Sequence, residues 1–417
     1  MTNTPMAFHV LAKPTGPICD LDCDYCFFLS KELLYPGDRF RMADELLSTY
    51  LRQLLEAHRT PQVTVAWQGG EPTLMGLDFF RRSVELVEQL RKPWQQVAYT
   101  IQTNGVSLDA DWARFFKEHG FLVGLSVDGP RDVHDAYRHD KGGKGSFDRV
   151  MRGYQHLQAA GVDVNVLCTV HAANQDRGAE VYRFFRDDMA ARYMQFIPIV
   201  ERATEELLPL ANQGWTAGRA DGRPLYVQAG SRVTDRSVAR DGFGRFLIDV
   251  FDEWVGRDVG EVFVQMFDVA LANWYGEPPG VCVFSETCGL ALAMEHNGDL
   301  YSCDHYVEPD YRLGNITETP MIELVASEKQ QAFGRAKRDA LPRQCRDCAV
   351  RFACHGGCPR NRFAQTADGE DGLNYLCPSY TAFFEHIDPA MRRMCELLKQ
   401  DRAPSEVVKL GIPGPEA

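Results

Sequence analysis

Along the first half of the chain, short runs rich in Val, Ile, Tyr and Phe alternate with longer stretches whose apolar residues recur every three or four positions. The β-type runs fall at residues 8–12, 63–67, 97–102, 122–127, 164–170 and 193–198, and the helical patterns between them at 44–58, 79–89, 111–119, 147–160 and 178–187. Strand followed by helix, six times in series, predicts parallel strands linked by right-handed crossovers. Because the pattern never reverses, the expected fold is α/β: a curved, partial (β/α)6 barrel rather than an open sandwich.

A barrel of parallel strands carries its chemistry on the loops at the carboxyl ends of those strands. The stretch after the first run holds Cys19, Cys23 and Cys26. Gln68-Gly69-Gly70-Glu71-Pro72 follows the second run, Thr103-Asn104-Gly105 the third, and Ser126-Val127-Asp128-Gly129-Pro130 closes the fourth. Every unusual sequence of the first half therefore falls on one rim.

Beyond the sixth run the pattern changes. Residues 201–241 are polar and Gly-rich and read as an insertion or lid. Residues 243–255 read as a helix leading to a second group of cysteines, and 380–399 as a last helix. Residues 411–417 have the composition of a disordered tail. At 417 residues the chain exceeds one ordinary core, so two domains are expected.

Composition narrows the class. Apolar residues at 45% and charged ones at 25% are those of a soluble globular protein. A net charge of −13 speaks against nucleic acid and membrane surfaces as partners and leaves room for a positively charged substrate. With no signal-peptide core in the first thirty residues and no run of 18 apolar residues, the chain reads as a cytoplasmic enzyme. Cysteines in that compartment stay reduced. Eleven of the thirteen fall in two tight groups, while Cys168 and Cys395 stand apart as packing residues. Reduced, clustered thiols hold metal.

Cys19-x3-Cys23-x2-Cys26 places three thiols within eight residues, with no fourth nearby. Zinc takes four ligands, usually as two separated pairs. Three on one loop suit a cubane 4Fe–4S cluster with one iron left open, and an open iron binds the amino and carboxylate groups of S-adenosylmethionine. Tyr25, Phe27 and Phe28 would shield that cluster and offer adenine a surface. A zinc site with a distant fourth ligand is the alternative. With Tyr25 preceding Cys26, the motif resembles the signature of the radical S-adenosylmethionine superfamily. Gly69-Gly70-Glu71-Pro72 resembles its second motif, whose backbone contacts the methionine amino group; glycine there permits close approach.

The second group runs Cys282-x5-Cys288-x14-Cys303, then Cys345-x2-Cys348-x5-Cys354-x3-Cys358, then Cys377. Eight thiolates make two sets of four, for two clusters or for two zinc sites with His305 or His355 substituting. The pattern resembles the SPASM extension of radical enzymes that modify peptides, which carries two auxiliary 4Fe–4S clusters. That resemblance, not the spacing, implies interleaved sets: Cys282, Cys288, Cys303 and Cys358, then Cys345, Cys348, Cys354 and Cys377. It implies a radical S-adenosylmethionine partial barrel over 1–240, linking helices over 241–281, a loop-rich SPASM domain over 282–400 and a disordered tail over 401–417.

Nearly the whole chain resembles the anaerobic sulfatase-maturating enzymes. The resemblance rests on Phe8-His9-Val10-Leu11-Ala12-Lys13-Pro14, on residues 67–74 and on Tyr301-Ser302-Cys303-Asp304-His305-Tyr306. It implies oxidation of a sulfatase cysteine or serine to Cα-formylglycine: a 5′-deoxyadenosyl radical takes a hydrogen from Cβ, then a base and an electron acceptor complete the oxidation. It implies Asp304 as the general base, beside ligand Cys303. Tyr25, Gly69, Gly70, Glu71, Ser126, Arg138 and Val200 are the implied cofactor contacts, and Gln68 the substrate contact. Asp299, Glu308 and Asp310 either attract an arginine of the substrate or form a solvated acidic face, and Arg138 has the plainer reading of a solvated surface residue. The implied partners of a monomeric enzyme are an unfolded or nascent sulfatase polypeptide and an electron donor such as flavodoxin or ferredoxin. Two other readings stay open: a maturase that cross-links or oxidises a ribosomally made peptide, and an electron-transfer protein using three clusters without substrate chemistry.

Overall fold

The computed structural model of the chain describes residues 4–215 and 224–410. Strands β1 (His9–Ala12), β2 (Gln62–Trp67), β3 (Gln96–Thr103), β4 (Phe121–Ser126), β5 (Asp163–Val170) and β6 (Tyr193–Pro198) lie side by side in chain order. Each runs parallel to the next, with Val65 opposite Tyr99 and Val166 opposite Met194. All six predicted strands are present, within one residue at either end.

The crossovers are α1 (Asp44–Ala57), α2 (Leu77–Leu90), α3 (Ala110–Glu118), the single turn α4 (Arg131–His134) with α5 (Phe147–Ala160), and α6 (Gly178–Arg183). Their apolar stripes explain the packing: α1 buries Leu47, Leu51 and Leu54 on one face and leaves Arg52 and Glu56 outside. Asp109 starts α3 by accepting from the backbone N–H groups of Asp111 and Trp112 at 2.9 and 3.1 Å.

The segment expected to be a lid contains the ribbon β7 (Arg202–Ala203) with β8 (Arg232–Val233), and the turn α7 (Leu208–Ala211). Glu201 accepts from Arg236 and Thr234 beneath it, and Ala203, Ala211, Trp215 and Tyr226 form a small core. Next come α8 (Gly242–Val255), β9 (Phe263–Val264) and α9 (Gln265–Tyr275).

The C-terminal part does not stand away from the barrel. Strand β10 (Ala291–Met294) pairs in parallel with the free side of β1, Met294 opposite Ala12, and β11 (Asp299–Tyr301) and β12 (Arg312–Asn315) continue antiparallel. Among the described residues one sheet of ten strands results, ordered β12-β11-β10-β1-β2-β3-β4-β5-β6-β9, with no pairing between β12 and β9. Helices α10 (Met321–Val325), α11 (Glu328–Asp339), α12 (Arg343–Arg346) and α13 (Arg351–Cys354) lead to α14 (Cys377–Lys399), which lies on α8. Phe383, Phe384 and Ile387 of α14 share a core with Phe246 and Val250 of α8 and Val166 and Val170 of β5. The edge of β1 and the outer face of α8 would otherwise be exposed, so the second half completes the core of the first.

Cys168 and Cys395 are buried packing residues, as expected. The expected disordered tail over 401–417 is in part folded: a turn at Pro404–Glu406 is followed by α15 (Val407–Leu410), and Val407 is in the core. Residues 411–417 lie outside the described residues. Among those described, no helix is long and apolar enough to cross a membrane.

Candidate active site

Past β1 the chain turns at Gly16 into the loop of Cys19, Cys23 and Cys26, at the carboxyl end of the sheet. The end of β2 is laced to that loop: Gly70 N–H donates to the Gly16 carbonyl and Glu71 N–H to that of Ile18, each at 2.8 Å. A Cβ on Gly70 would stand 2.1 Å from the Ile18 carbonyl oxygen, and Gly69 holds φ +136°. The glycines are thus required by a contact inside the chain. Glu71 Oε1 accepts from Thr73 N–H (3.0 Å), Thr73 Oγ1 (2.7 Å) and Thr103 Oγ1 (2.8 Å), and Oε2 from Asn104 N–H (2.8 Å). Burial pushes this carboxyl up to about 7 in spite of its donors. Glu71, expected among the cofactor contacts, spends its carboxylate in joining the ends of β2 and β3.

A prediction follows from the Gly70 contact. Backbone cannot yield as a side-chain tip can, so Gly70→Ala must displace the cysteine loop, an overpacking worth about 1–3 kcal/mol. S-adenosylmethionine cleavage is expected to fall by about tenfold or more, with the iron loss confined to one cluster by iron analysis.

The three thiols are neighbours. Burial pushes Cys23 up to about 12 and raises Cys19 and Cys26; Cys19 also feels Cys23, and Cys23 feels Cys26. Such thiols are protonated on their own, and a bound cation displaces the protons. Tyr25 packs with Leu21 and Cys23, as a shielding residue should. Phe28 instead is buried against Ala293, Tyr301 and Val307 with Lys13 Nζ 3.8 Å above its ring, so it is no open surface for adenine.

Arg138 is 6% exposed and Asp128 fully buried, which removes the reading of a solvated surface residue. Arg138 grips Asp128 through Nε–Oδ2 (2.8 Å) and Nη2–Oδ1 (3.0 Å), while Tyr25 Oη donates to Oδ2 at 2.6 Å and Thr169 N–H to Oδ1 at 2.9 Å. Burial would raise the Asp128 carboxyl; Arg138 and His171 outweigh it and hold it well below the usual carboxylate range. Asp128 thus ties two expected cofactor residues together, a role its place in the rim sequence did not disclose. Ser126 Oγ, on the same rim, accepts from Gln102 Nε2 at 3.0 Å. Val200 has its side chain in the main core, so only its backbone is available to a ligand.

Asp304 follows β11, next to Cys303. Lys13, 1% exposed at the end of β1, brings Nζ to 2.5 Å from Asp304 Oδ1. Burial alone would raise the Asp304 carboxyl; Lys13 foremost, with Arg360 adding to it, holds it below its ordinary value. Arg360 Nη1 is 2.8 Å from His305 Nδ1, and a guanidinium only donates, so Nδ1 is the acceptor. Burial and Arg360 push His305 down to about 3, which leaves it neutral. Gln68, expected to touch substrate, has its Oε1 buried with no hydrogen-bond partner among the described residues.

The solvated acidic face expected around Asp304 is not found at two of its three members. Asp299 is paired with Arg312 at 2.6 Å, and Glu308 accepts from Gln228 N–H at 3.0 Å beside Lys31. Only Asp310 is exposed. Lys31, fully buried, donates to the Tyr226 carbonyl at 2.5 Å, and burial pushes it down to about 8. Lys13, Lys31 and Arg360 were missed in the sequence. Lys13 follows a predicted strand on the functional rim, and that position was the available signal.

The second cysteine group falls into two neighbourhoods. Cys282, Cys288 and Cys303 each feel Cys358, whereas Cys354 feels Cys377, Cys345 and Cys348. Among the described residues no three His, Cys, Asp or Glu side chains are already gathered around one ion-sized point.

Two family models match the chain: the Radical SAM superfamily over residues 14–185 and the SPASM iron–sulfur cluster-binding domain over 286–349. The chain is 42% identical to a serine-type anaerobic sulfatase-maturating enzyme of Bacteroides thetaiotaomicron, over 98% of this chain and 96% of the relative. It is 30% identical to a cysteine-type enzyme of Clostridium perfringens, over 94% and 99%. A solved structure of native anSMEcpe with bound AdoMet and Kp18Cys peptide superimposes with a TM-score of 0.78 at 30% identity, over 93% of this chain and 99% of the other.

Proposed function

The chain belongs to the anaerobic sulfatase-maturating enzymes, and from that premise we propose the part that each of its residues plays. Enzymes of this family are radical S-adenosylmethionine oxidoreductases that generate formylglycine on a sulfatase polypeptide, and so does this one. When bound, S-adenosylmethionine and three 4Fe–4S clusters supply a radical that takes a hydrogen atom from the substrate Cβ and a sink for one further electron.

Cys19, Cys23 and Cys26 are assigned to the catalytic cluster, and the two sets around Cys358 and Cys377 to the auxiliary ones. The barrel portion, 1–240, binds S-adenosylmethionine, with Tyr25 and Arg138 set in place by Asp128. Asp304 receives the proton of the substrate oxygen or sulfur. The observation that carries this role is the Lys13–Asp304 contact: one buried cation keeps the carboxylate ionised and engages Oδ1, leaving Oδ2 for the proton. Gln68, with a buried acceptor unused, orients the reacting side chain.

Serine is proposed as the preferred target, because the serine-type relative shares 42% of positions and the cysteine-type one 30%. The electron donor is a small reductant of the flavodoxin or ferredoxin class, and the working unit is a monomer in the cytoplasm. The test is anaerobic incubation of the reconstituted enzyme with matched serine and cysteine peptides of a sulfatase motif, followed by mass spectrometry. The expected result is aldehyde from both, formed faster from serine, with one 5′-deoxyadenosine per aldehyde. A cross-linked peptide would favour the rival maturase reading, and absence of 5′-deoxyadenosine the electron carrier.

A further inference from the structure

Two cations, Lys337 and Arg362, sit among the auxiliary thiols. Lys337, on α11 and 1% exposed, reaches into the loop between Cys282 and Cys288, where Nζ donates to the Ser285 carbonyl. Arg362 is half-buried, and its donors all go to carbonyls: Nε to Gly356 at 3.0 Å, Nη1 to Lys337 at 2.6 Å, and Nη2 to His355 at 2.9 Å and Gly357 at 3.3 Å. The loop it clasps, His355 to Gly357, is the one that passes from Cys354 of one set to Cys358 of the other. Gly356 has no Cβ, and one would stand 2.7 Å from Arg362 Nη2, so the clasp is tight.

The acidic groups that act most strongly on these cations are thiols. Lys337 faces Cys288, Cys358 and Cys282; Arg362 faces Cys345, Cys358, Cys354 and Cys288. A buried ammonium next to a guanidinium is strongly unfavourable without negative charge nearby. Burial and Arg362 accordingly push Lys337 down to about 8, against the opposing pull of Cys288, Cys358 and Cys282. Four thiolates around a 4Fe–4S cluster supply the missing charge, and one-electron reduction adds another unit of it.

We infer that Lys337 and Arg362 are the counter-charges of the auxiliary clusters, Lys337 serving the set of Cys282, Cys288, Cys303 and Cys358 and Arg362 standing between both sets, and that they favour the reduced state in which the substrate's electron is received. The inference rests on the assignment of the two sets to clusters. It makes both side chains part of the electron path although neither touches substrate.

The test is a dye-mediated redox titration of the full-length reconstituted enzyme followed by electron paramagnetic resonance, with added S-adenosylmethionine marking the catalytic cluster's signal. Iron analysis accompanies each variant. In Lys337→Met one auxiliary cluster should show a reduced-to-oxidised ratio about tenfold lower at a given potential, which is about 59 mV for a one-electron couple. Lys337→Arg should restore it. Arg362→Gln should shift both auxiliary couples in the same direction, and Arg362→Lys should shift them less. Should Lys337→Met lose iron, retention in Lys337→Arg would still support a charge requirement. Unchanged couples with full iron, or equal iron loss in Lys337→Met and Lys337→Arg, would overturn the inference. Iron near four per chain in the unmutated enzyme, the content of one cluster, would instead remove the cluster assignment on which it stands.

Discussion

Asp304→Asn is expected to keep all three clusters and to cleave S-adenosylmethionine, while its formylglycine yield falls by about two to four orders of magnitude, the usual worth of a positioned general base. Neither cluster ligation nor cofactor cleavage needs a carboxylate at this position. The signature is uncoupling: 5′-deoxyadenosine accumulates without a matching amount of aldehyde. A serine peptide should suffer more than a cysteine peptide, because a hydroxyl yields its proton far less readily than a thiol of pKa about 8.5. The structure adds a control. Asn leaves Lys13, 1% exposed, without the anion it faces, and breaking a buried pair costs about 3–5 kcal/mol. Thermal stability should therefore drop in Asp304→Asn and recover in the double variant Lys13→Met/Asp304→Asn, whereas formylglycine should not recover. Full yield from Asp304→Asn would take the residue out of the mechanism. Loss of an auxiliary cluster in the same variant would make its role structural, as a neighbour of Cys303.

Joint replacement of Cys19, Cys23 and Cys26 by alanine is expected to abolish S-adenosylmethionine cleavage altogether and to lower iron from about twelve per chain to about eight, four for each remaining cluster. The auxiliary sets should survive, because their loops are held by contacts that do not involve the first cysteine loop. Gln330 Nε2 donates to the carbonyls of Gly289 and Ser302, and Arg362 clasps residues 355–357. Iron analysis and high-performance chromatography for 5′-deoxyadenosine check both halves. Cleavage retained in the triple variant would sink the assignment of these thiols, and loss of all iron would show that the two halves assemble as one.

The polypeptide frame is nonetheless shared, since β10 completes the edge of β1 and α14 completes the core under α8. The division of the chain into a barrel and a separate cluster domain describes its ligands better than its packing. Hydrophobic spacing reports only which residues of a segment are buried, and it is silent on which other segment covers them.

The sequence by itself determined what short-range chemistry determines. Strand and helix follow from apolar periods of two and of three to four, and all six parallel strands were legible from them. Cys19, Cys23 and Cys26 share one loop, so their spacing alone places three ligands together. The tertiary structure decided what joins residues far apart in the chain. Lys13 meets Asp304 across 291 positions, and Arg138 turns inward onto Asp128 instead of out to water. Glu71 spends its carboxylate on Thr73, Thr103 and Asn104, and Lys337 stands among the thiols of Cys282, Cys288 and Cys358. In each case the physical reason is the same. A buried charge requires a partner in space, and only the folded chain selects which of many acids, bases and thiols that partner is.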